Sequence, residues 1–74
     1  SEALPKEASG KEKININTAG AGDLEMLPGI GEVLAERIIE YRSIHGNFSE
    51  IYDITNVSGI GDATFEKIED YITV

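Results

Sequence analysis

Two short glycine turns hold the residues of this chain that are best suited to bind a ligand. Gly29-Ile30-Gly31 and, thirty positions later, Gly59-Ile60-Gly61 each follow an apolar residue and a turn residue and lead into a helical pattern. Because glycine has no Cβ, such a turn can bring its backbone close to a molecule outside the protein. If the second glycine opens a helix, the first amides of that helix lack an internal partner and favour an anion such as phosphate. The two turns therefore predict a phosphate-binding surface.

The elements that position these turns can be read from the periodicity of the apolar residues. Residues 1–13 mix small residues, proline and balanced charge, which predicts a disordered linker. The alternation of apolar and polar residues at 14–18 predicts an extended opening segment. Four helices follow, and we place them at about 21–26, 32–44, 50–54 and 62–72. Ser49 is expected to cap the third of these helices, and Gly46 is expected to end the second with a left-handed cap.

An internal repeat relates the two turns. When residue n is laid on residue n+30, identical residues include Asn17/Asn47, Gly29/Gly59, Gly31/Gly61, Ile38/Ile68 and Tyr41/Tyr71. Short helix, glycine turn and long helix thus occur twice, and neither copy has enough apolar surface to fold alone. We predict one domain at 14–74, built from units 17–46 and 47–74 that share a core about a pseudo-two-fold axis. This arrangement would place both turns on the same side of the molecule.

Composition and charge limit the function classes. The chain has 74 residues and no cysteine, and no apolar run approaches the roughly 20 residues that cross a bilayer. We expect it to be soluble as given. The formal net charge is −8. Residues 1–13 contain three glutamates and three lysines, so all of the excess negative charge lies at residues 14–74. Nucleic-acid binders usually have a basic face, so the charge conflicts with the phosphate-binding prediction.

The motifs resemble a known family. Leu27-Pro-Gly-Ile-Gly-x-x-x-Ala35 and Val57-x-Gly-Ile-Gly61 resemble the helix-hairpin-helix motif. Four segments resemble the ComEA competence-protein domain in their order and spacing. They are Ile14-Asn-Ile-Asn-Thr-Ala19, Ile39-x-Tyr-Arg42, Gly46-x-Phe48 and Val57-Ser-Gly-Ile-Gly61. The resemblance implies an all-α fold of five short helices, a double helix-hairpin-helix domain with the character of a small SAM-like bundle.

The resemblance also implies a function. Such domains bind double-stranded DNA without sequence preference and capture it outside the cytoplasmic membrane for natural transformation. The implied location is extracytoplasmic, either anchored at the cell surface or periplasmic, with proteins of the DNA-uptake channel as partners. No small-molecule substrate, cofactor or enzymatic activity is implied. A monovalent cation held by the carbonyls of Leu27 and Ile30, or of Val57 and Ile60, is a further option.

The DNA-binding residues expected from the motif and the repeat are Gly29, Ile30, Gly31, Gly59, Ile60, Gly61, Arg37 and Lys67. Arg37 and Lys67 occupy matching positions and could reach the DNA backbone or pair with Glu40 and Asp70. The chain departs from its relatives directly after the turns, where Glu32 and Asp62 replace the basic residues often found there. These acids suit a helix N-terminus but repel phosphate. The alternative function is therefore a protein-interaction or structural module that kept the fold and lost DNA binding.

Overall fold

The computed structural model describes residues 13–74, so the linker predicted at 1–13 lies almost entirely outside the described residues. The elements are β1 (Ile14–Asn15), α1 (Ala21–Leu24), α2 (Glu32–His45), a first 3-10 helix (Ile51–Asn56), α3 (Asp62–Ile68), a second 3-10 helix (Glu69–Tyr71) and β2 (Ile72–Thr73). The predicted helical fold class is confirmed. Among residues 13–74, two of the five helical segments are 3-10 helices.

The core is built from apolar side chains at matching places in the two units. The fully or almost fully buried pairs are Leu24/Ile54, Leu27/Val57, Ile30/Ile60 and Ile38/Ile68. Burying a side chain of this size contributes about 1.5–3 kcal/mol relative to leaving it exposed. Because each unit supplies one member of every pair, the core belongs to both units together.

A short parallel strand pair joins the two ends of the described chain, and the sequence patterns did not predict it. Ile14 pairs with Ile72 and Asn15 with Thr73, and the Ile16 amide extends the ladder with a 2.9 Å bond to the Thr73 carbonyl. The helix predicted at 62–72 is therefore too long, because α3 ends at Ile68. Ile72 fits the apolar stripe of a helix, but this β-branched side chain reaches the core from an extended backbone.

Two other predicted helices change for local reasons. The helix predicted at 21–26 stops at Leu24, because the amides of Met26 and Leu27 bond three residues back and tighten the chain into turns. The helix predicted at 50–54 is the 3-10 helix Ile51–Asn56, with Glu50 as its N-cap, so the Ser49 cap is wrong. The Asp53 carboxylate instead accepts hydrogen bonds from the amides of Ser49 and Glu50, at 3.1 and 3.3 Å.

Gly46 follows α2 with φ +92°, as predicted, although its ψ of −177° is extended rather than helical. The chain then returns to the core at the buried Phe48. The Asn17 side chain holds this return, since it accepts from the Phe48 amide at 2.7 Å and donates to the Phe48 carbonyl at 3.1 Å. This contact fastens the start of the first unit to the start of the second.

Candidate nucleic-acid interface

Two hairpins with nearly the same backbone geometry form the candidate site. We call residues 27–31 hairpin one and residues 57–61 hairpin two. The first glycine of each needs a positive φ, +85° at Gly29 and +98° at Gly59, a conformation that side chains with a Cβ rarely adopt. The second glycine of each is a helix N-cap in extended conformation, with φ −98° at Gly31 and −107° at Gly61.

The second glycines have open space around them. A Cβ built on Gly31 or Gly61 meets no atom within 4 Å, and any residue can adopt their backbone conformation. Neither α2 nor α3 has a side-chain hydrogen bond that caps its N-terminus. The first amides of the two helices therefore lie at the surface without the side-chain partner that a serine or aspartate N-cap would supply.

Hydrogen bonds within each hairpin fix the turn. The Ile30 amide donates to the Leu27 carbonyl at 3.1 Å, and the Ile60 amide donates to the Val57 carbonyl at 3.0 Å. Ile30 and Ile60 are each only 3% exposed, so their side chains cannot belong to a binding surface. Of the four carbonyls proposed as cation ligands, those of Leu27 and Val57 already accept an amide hydrogen bond. The cation site stays a prediction.

Each hairpin lies against the long helix of the other unit. A Cβ on Gly59 would lie 2.7 Å from Leu34 Cδ2 and 2.9 Å from Arg37 Nη1. A Cβ on Gly29 would lie 3.9 Å from the methyl group of Thr64, the residue that corresponds to Leu34 in the repeat. Because α2 and α3 each begin at their own hairpin, these crossed contacts bring the two hairpins side by side.

The two basic residues predicted for the site have different surroundings. Arg37 Nη1 donates a 3.1 Å hydrogen bond to the carbonyl of Ser58, in hairpin two. This partner is neither of the two that the sequence suggested, and no local pattern indicates a contact across 21 positions. Lys67 lies exposed in the last turn of α3. The assignment of both residues to DNA remains a prediction.

The acids that open α2 and α3 are not equivalent. The Tyr52 hydroxyl donates a 2.8 Å hydrogen bond to Asp62 Oδ1. This hydrogen bond and the negative charge of Asp62 raise the pKa of Tyr52 above its ordinary value. In the repeat, the position that matches Tyr52 is Gly22, so Glu32 has no corresponding tyrosine. Sequence reasoning missed Tyr52, which also packs edge-on against Phe65, with ring centroids 5.1 Å apart.

Among residues 13–74, no group of three or more histidine, cysteine, aspartate or glutamate side chains is placed to hold a metal ion. Within the same residues, no helix is long and apolar enough to cross a membrane. The carboxylates four apart on α2, Glu36 and Glu40, are exposed.

Two adjacent hairpins, each joining a short helix to a longer one, define a tandem helix-hairpin-helix domain. A family model described as the helix-hairpin-helix motif matches residues 9–73. The chain belongs to the helix-hairpin-helix family, and its similarity to ComE operon protein 1 of Bacillus subtilis, 52% identical over 61 residues, confirms the resemblance to the ComEA competence proteins.

Other relatives show how widely the domain occurs. An uncharacterized protein of Haemophilus influenzae is 46% identical over 72 residues. The endonuclease/exonuclease/phosphatase family domain-containing protein 1 of Xenopus laevis is 41% identical over 64 residues. The matches cover 82%, 96% and 86% of this chain but only 30%, 64% and 12% of the respective relatives. The match thus covers only a small part of the Xenopus protein.

Proposed function

We propose that this domain binds double-stranded DNA through backbone phosphates, without sequence preference. The observation that carries the proposal is that Gly31 and Gly61, each with open space around it, begin two uncapped helices at adjacent hairpins. Nothing in the described fold demands glycine there, whereas a phosphate that approaches the helix amides closely would demand it. Contacts to phosphate carry no sequence information, so one site serves any duplex.

The position of the hairpins suggests how a duplex would be held. The crossed contacts of Gly29 and Gly59 bring the two hairpins together, and a pair of neighbouring amide clusters suits the two strands on either side of a minor groove. The amides of each cluster would donate hydrogen bonds to one phosphate at a helix N-terminus. Arg37 and Lys67 would add a cation near each cluster.

The negative charge sets the strength of this binding. Residues 14–74 carry Arg37, Arg42 and Lys67 against eleven carboxylates. Arg42 is half-buried and donates to the Ile16 carbonyl at 2.9 Å, whereas Arg37 and Lys67 are exposed. With two cations left to replace counterions, the slope of log K against log salt should be about −2, far shallower than for a basic DNA-binding protein. We expect weak binding that is best measured at low salt.

The biological role that we propose is the DNA-receptor part of a ComEA-like competence protein in DNA uptake. The support is the identity to ComE operon protein 1, of which this chain covers 30%. The role implies an extracytoplasmic location and partners in the uptake channel. Both belong to the whole protein rather than to the residues of this domain.

The experiment compares alanine at the second glycines with alanine at a matched glycine. Gly31→Ala combined with Gly61→Ala should lower the affinity for a fluorescent duplex about a hundredfold, if each Cβ costs one charge-assisted contact of roughly 1.5 kcal/mol. Fluorescence anisotropy at low salt, with two duplexes of unrelated sequence, measures the change.

Gly20→Ala is the control. Gly20 is also a helix N-cap in extended conformation with no atom near its Cβ position, but it precedes α1 rather than a hairpin. The control should bind like the unmodified protein. Equal affinity of the folded double variant and the control would refute phosphate binding at the hairpins, and no binding by the unmodified protein would refute the DNA function.

A protein-interaction module is the second candidate, and one surface favours it. An open groove of 420 Å³ lies between α2 and residues 56–58, which include the start of hairpin two. Ile44, which is 68% exposed, and His45 line it. If the folded protein does not bind duplex DNA at low salt, a protein-interaction function would be the better explanation of the acidic surface.

A further inference from the structure

We propose that each hairpin is positioned by the long helix of the opposite unit: Arg37 of α2 serves hairpin two, and Lys67 of α3 serves hairpin one. The inference deepens the proposed DNA function and rests on it for the role of the two cations. Its consequence is that the hairpins form a single docking element rather than two independent ones.

The contact of Arg37 supports the first part of the proposal, that α2 positions hairpin two. Its Nη1 atom donates to the Ser58 carbonyl at 3.1 Å and lies 2.9 Å from the place a Cβ on Gly59 would take. The residue lies on the helix that hairpin one opens, yet its guanidinium touches the backbone of hairpin two. A guanidinium has five N–H donors, so one bond to Ser58 leaves others for a second acceptor. Arg37 is exposed, which leaves those donors accessible to a phosphate.

The internal repeat supports the second part of the proposal, that α3 positions hairpin one. Lys67 matches Arg37, and Pro28 of hairpin one matches Ser58. The face of α3 that would deliver Lys67 is already turned toward hairpin one, because the Thr64 methyl lies 3.9 Å from the Cβ position of Gly29. Lys67 is one helical turn beyond Thr64 and therefore lies on the same side of α3. Its ammonium is a point charge without the fixed fork of arginine, so hairpin one should be held less rigidly.

The crossing has a mechanical consequence. If each cation came from its own unit, the two hairpins could shift independently as the units moved. In the proposed arrangement, a displacement of α2 moves hairpin one, because the two are continuous in the chain. It also moves hairpin two, because Arg37 contacts that hairpin. The spacing between the two amide clusters is then set by α2 and α3 together, and it is the quantity that a duplex of fixed groove width would recognise.

The first test needs no DNA. Arg37→Gln should shift the amide resonances of residues 58–61 and leave those of 29–31 unchanged, whereas Lys67→Gln should do the reverse. Arg42→Gln is the matched control, because Arg42 is also on α2, also bonds a backbone carbonyl, at 2.9 Å, and contacts Ile16 rather than a hairpin. The proposal would be overturned if Arg37→Gln shifted only the amides of residues 29–31 and Lys67→Gln shifted only those of residues 58–61.

The second test is a double-mutant cycle on duplex affinity. Arg37→Gln should weaken binding about tenfold, as the loss of one charge-assisted contact, and reduce the salt slope by about 0.9. Combined with Gly61→Ala it should show a coupling of about threefold or more, since both changes disable hairpin two. Combined with Gly31→Ala it should be additive within about twofold.

Two further outcomes complete the test. Arg37→Lys should restore the salt slope, a result that a purely structural role would not give, while recovering only part of the affinity. Coupling of Arg37 with Gly31 instead of Gly61 would overturn the proposal. An unmodified protein that binds no duplex would refute the proposed function and the role of the cations. In that case the amide shifts of the DNA-free variants would still decide which hairpin each side chain positions.

Discussion

Alanine at the first glycine of each hairpin should destabilise the two hairpins unequally. Gly29 and Gly59 have φ of +85° and +98°, and a Cβ in that region costs about 1–2 kcal/mol. Reduced freedom of the unfolded chain returns about 0.4–1 kcal/mol in both variants. At Gly29 the new Cβ would meet only the Thr64 methyl at 3.9 Å, an ordinary contact. We therefore expect Gly29→Ala to lower the free energy of unfolding by about 1 kcal/mol.

Gly59→Ala should cost more because of what surrounds it. Leu34 Cδ2 at 2.7 Å and Arg37 Nη1 at 2.9 Å must both move to admit the Cβ. Moving the guanidinium breaks its hydrogen bond to Ser58, a loss of about 1 kcal/mol. The total for Gly59→Ala is then about 2 kcal/mol, twice the cost at Gly29.

Urea unfolding measures the difference. For a small domain with an m-value of about 1 kcal/mol/M, the unfolding midpoint should fall by about 1 M in Gly29→Ala and about 2 M in Gly59→Ala. Gly31→Ala, where φ is −98° and no atom is near, controls for the change of residue. It should shift the midpoint by about 0.5 M at most, because the weaker N-cap and the reduced freedom of the unfolded chain oppose each other. An equal or larger loss at Gly29 would refute the crossed packing of the hairpins.

Three further predictions concern charge, pH and the core. Glu32→Lys should tighten duplex binding and steepen the salt slope by about 0.9 in an anisotropy titration at several salt concentrations; an unchanged slope would show that the start of α2 does not face phosphate. Because the raised pKa of Tyr52 reflects a neutral hydroxyl that donates to a carboxylate, its stabilisation is complete below pH of about 10 and is lost as the pH rises through the raised value. The stability advantage of the unmodified protein over Tyr52→Phe should accordingly shrink in urea unfolding at alkaline pH, and a constant difference would contradict the assigned hydrogen bond. Ile38→Ala should cost about 2–5 kcal/mol because the side chain is fully buried between the two units, whereas Ile44→Ala, at a largely exposed position, should change stability by less than about 0.5 kcal/mol.

Much of the fold could be predicted because the repeat doubles every signal. Gly29 and Gly59 need positive φ, a requirement that is local and visible in the sequence. The buried pair Ile30 and Ile60 follows from the same turn. The pairing of β1 with β2 could not be predicted in this way. It joins residues at opposite ends of the domain, and Ile72 suits a helix stripe and a buried strand equally well.

The site was predictable in its backbone and not in its side chains. The bare amides follow from glycine at a helix N-cap, which is a property of a few consecutive residues. The partner of Arg37 depends on how α2 crosses hairpin two, and the bond of Tyr52 to Asp62 depends on the path of the first 3-10 helix. Contacts of this kind are set by tertiary packing, and no short sequence pattern specifies them.

The proposed binding through backbone amides is compatible with the acidic surface. Amides at a helix N-terminus attract phosphate without any basic side chain. The carboxylates then reduce affinity uniformly, because repulsion along the whole duplex opposes the local attraction at two points. Such a domain would bind DNA weakly and release it easily.

The central claim is that paired backbone amides of the two hairpins receive the phosphates of a duplex. Its most direct measurement is a titration of the ¹⁵N-labelled protein with a short duplex at low salt, followed by amide chemical shifts. The account predicts the largest shifts at residues 29–33 and 59–63, moving together and in the same way for duplexes of unrelated sequence. Shifts centred on the groove beside Ile44, or an unchanged spectrum of the folded protein, would contradict it.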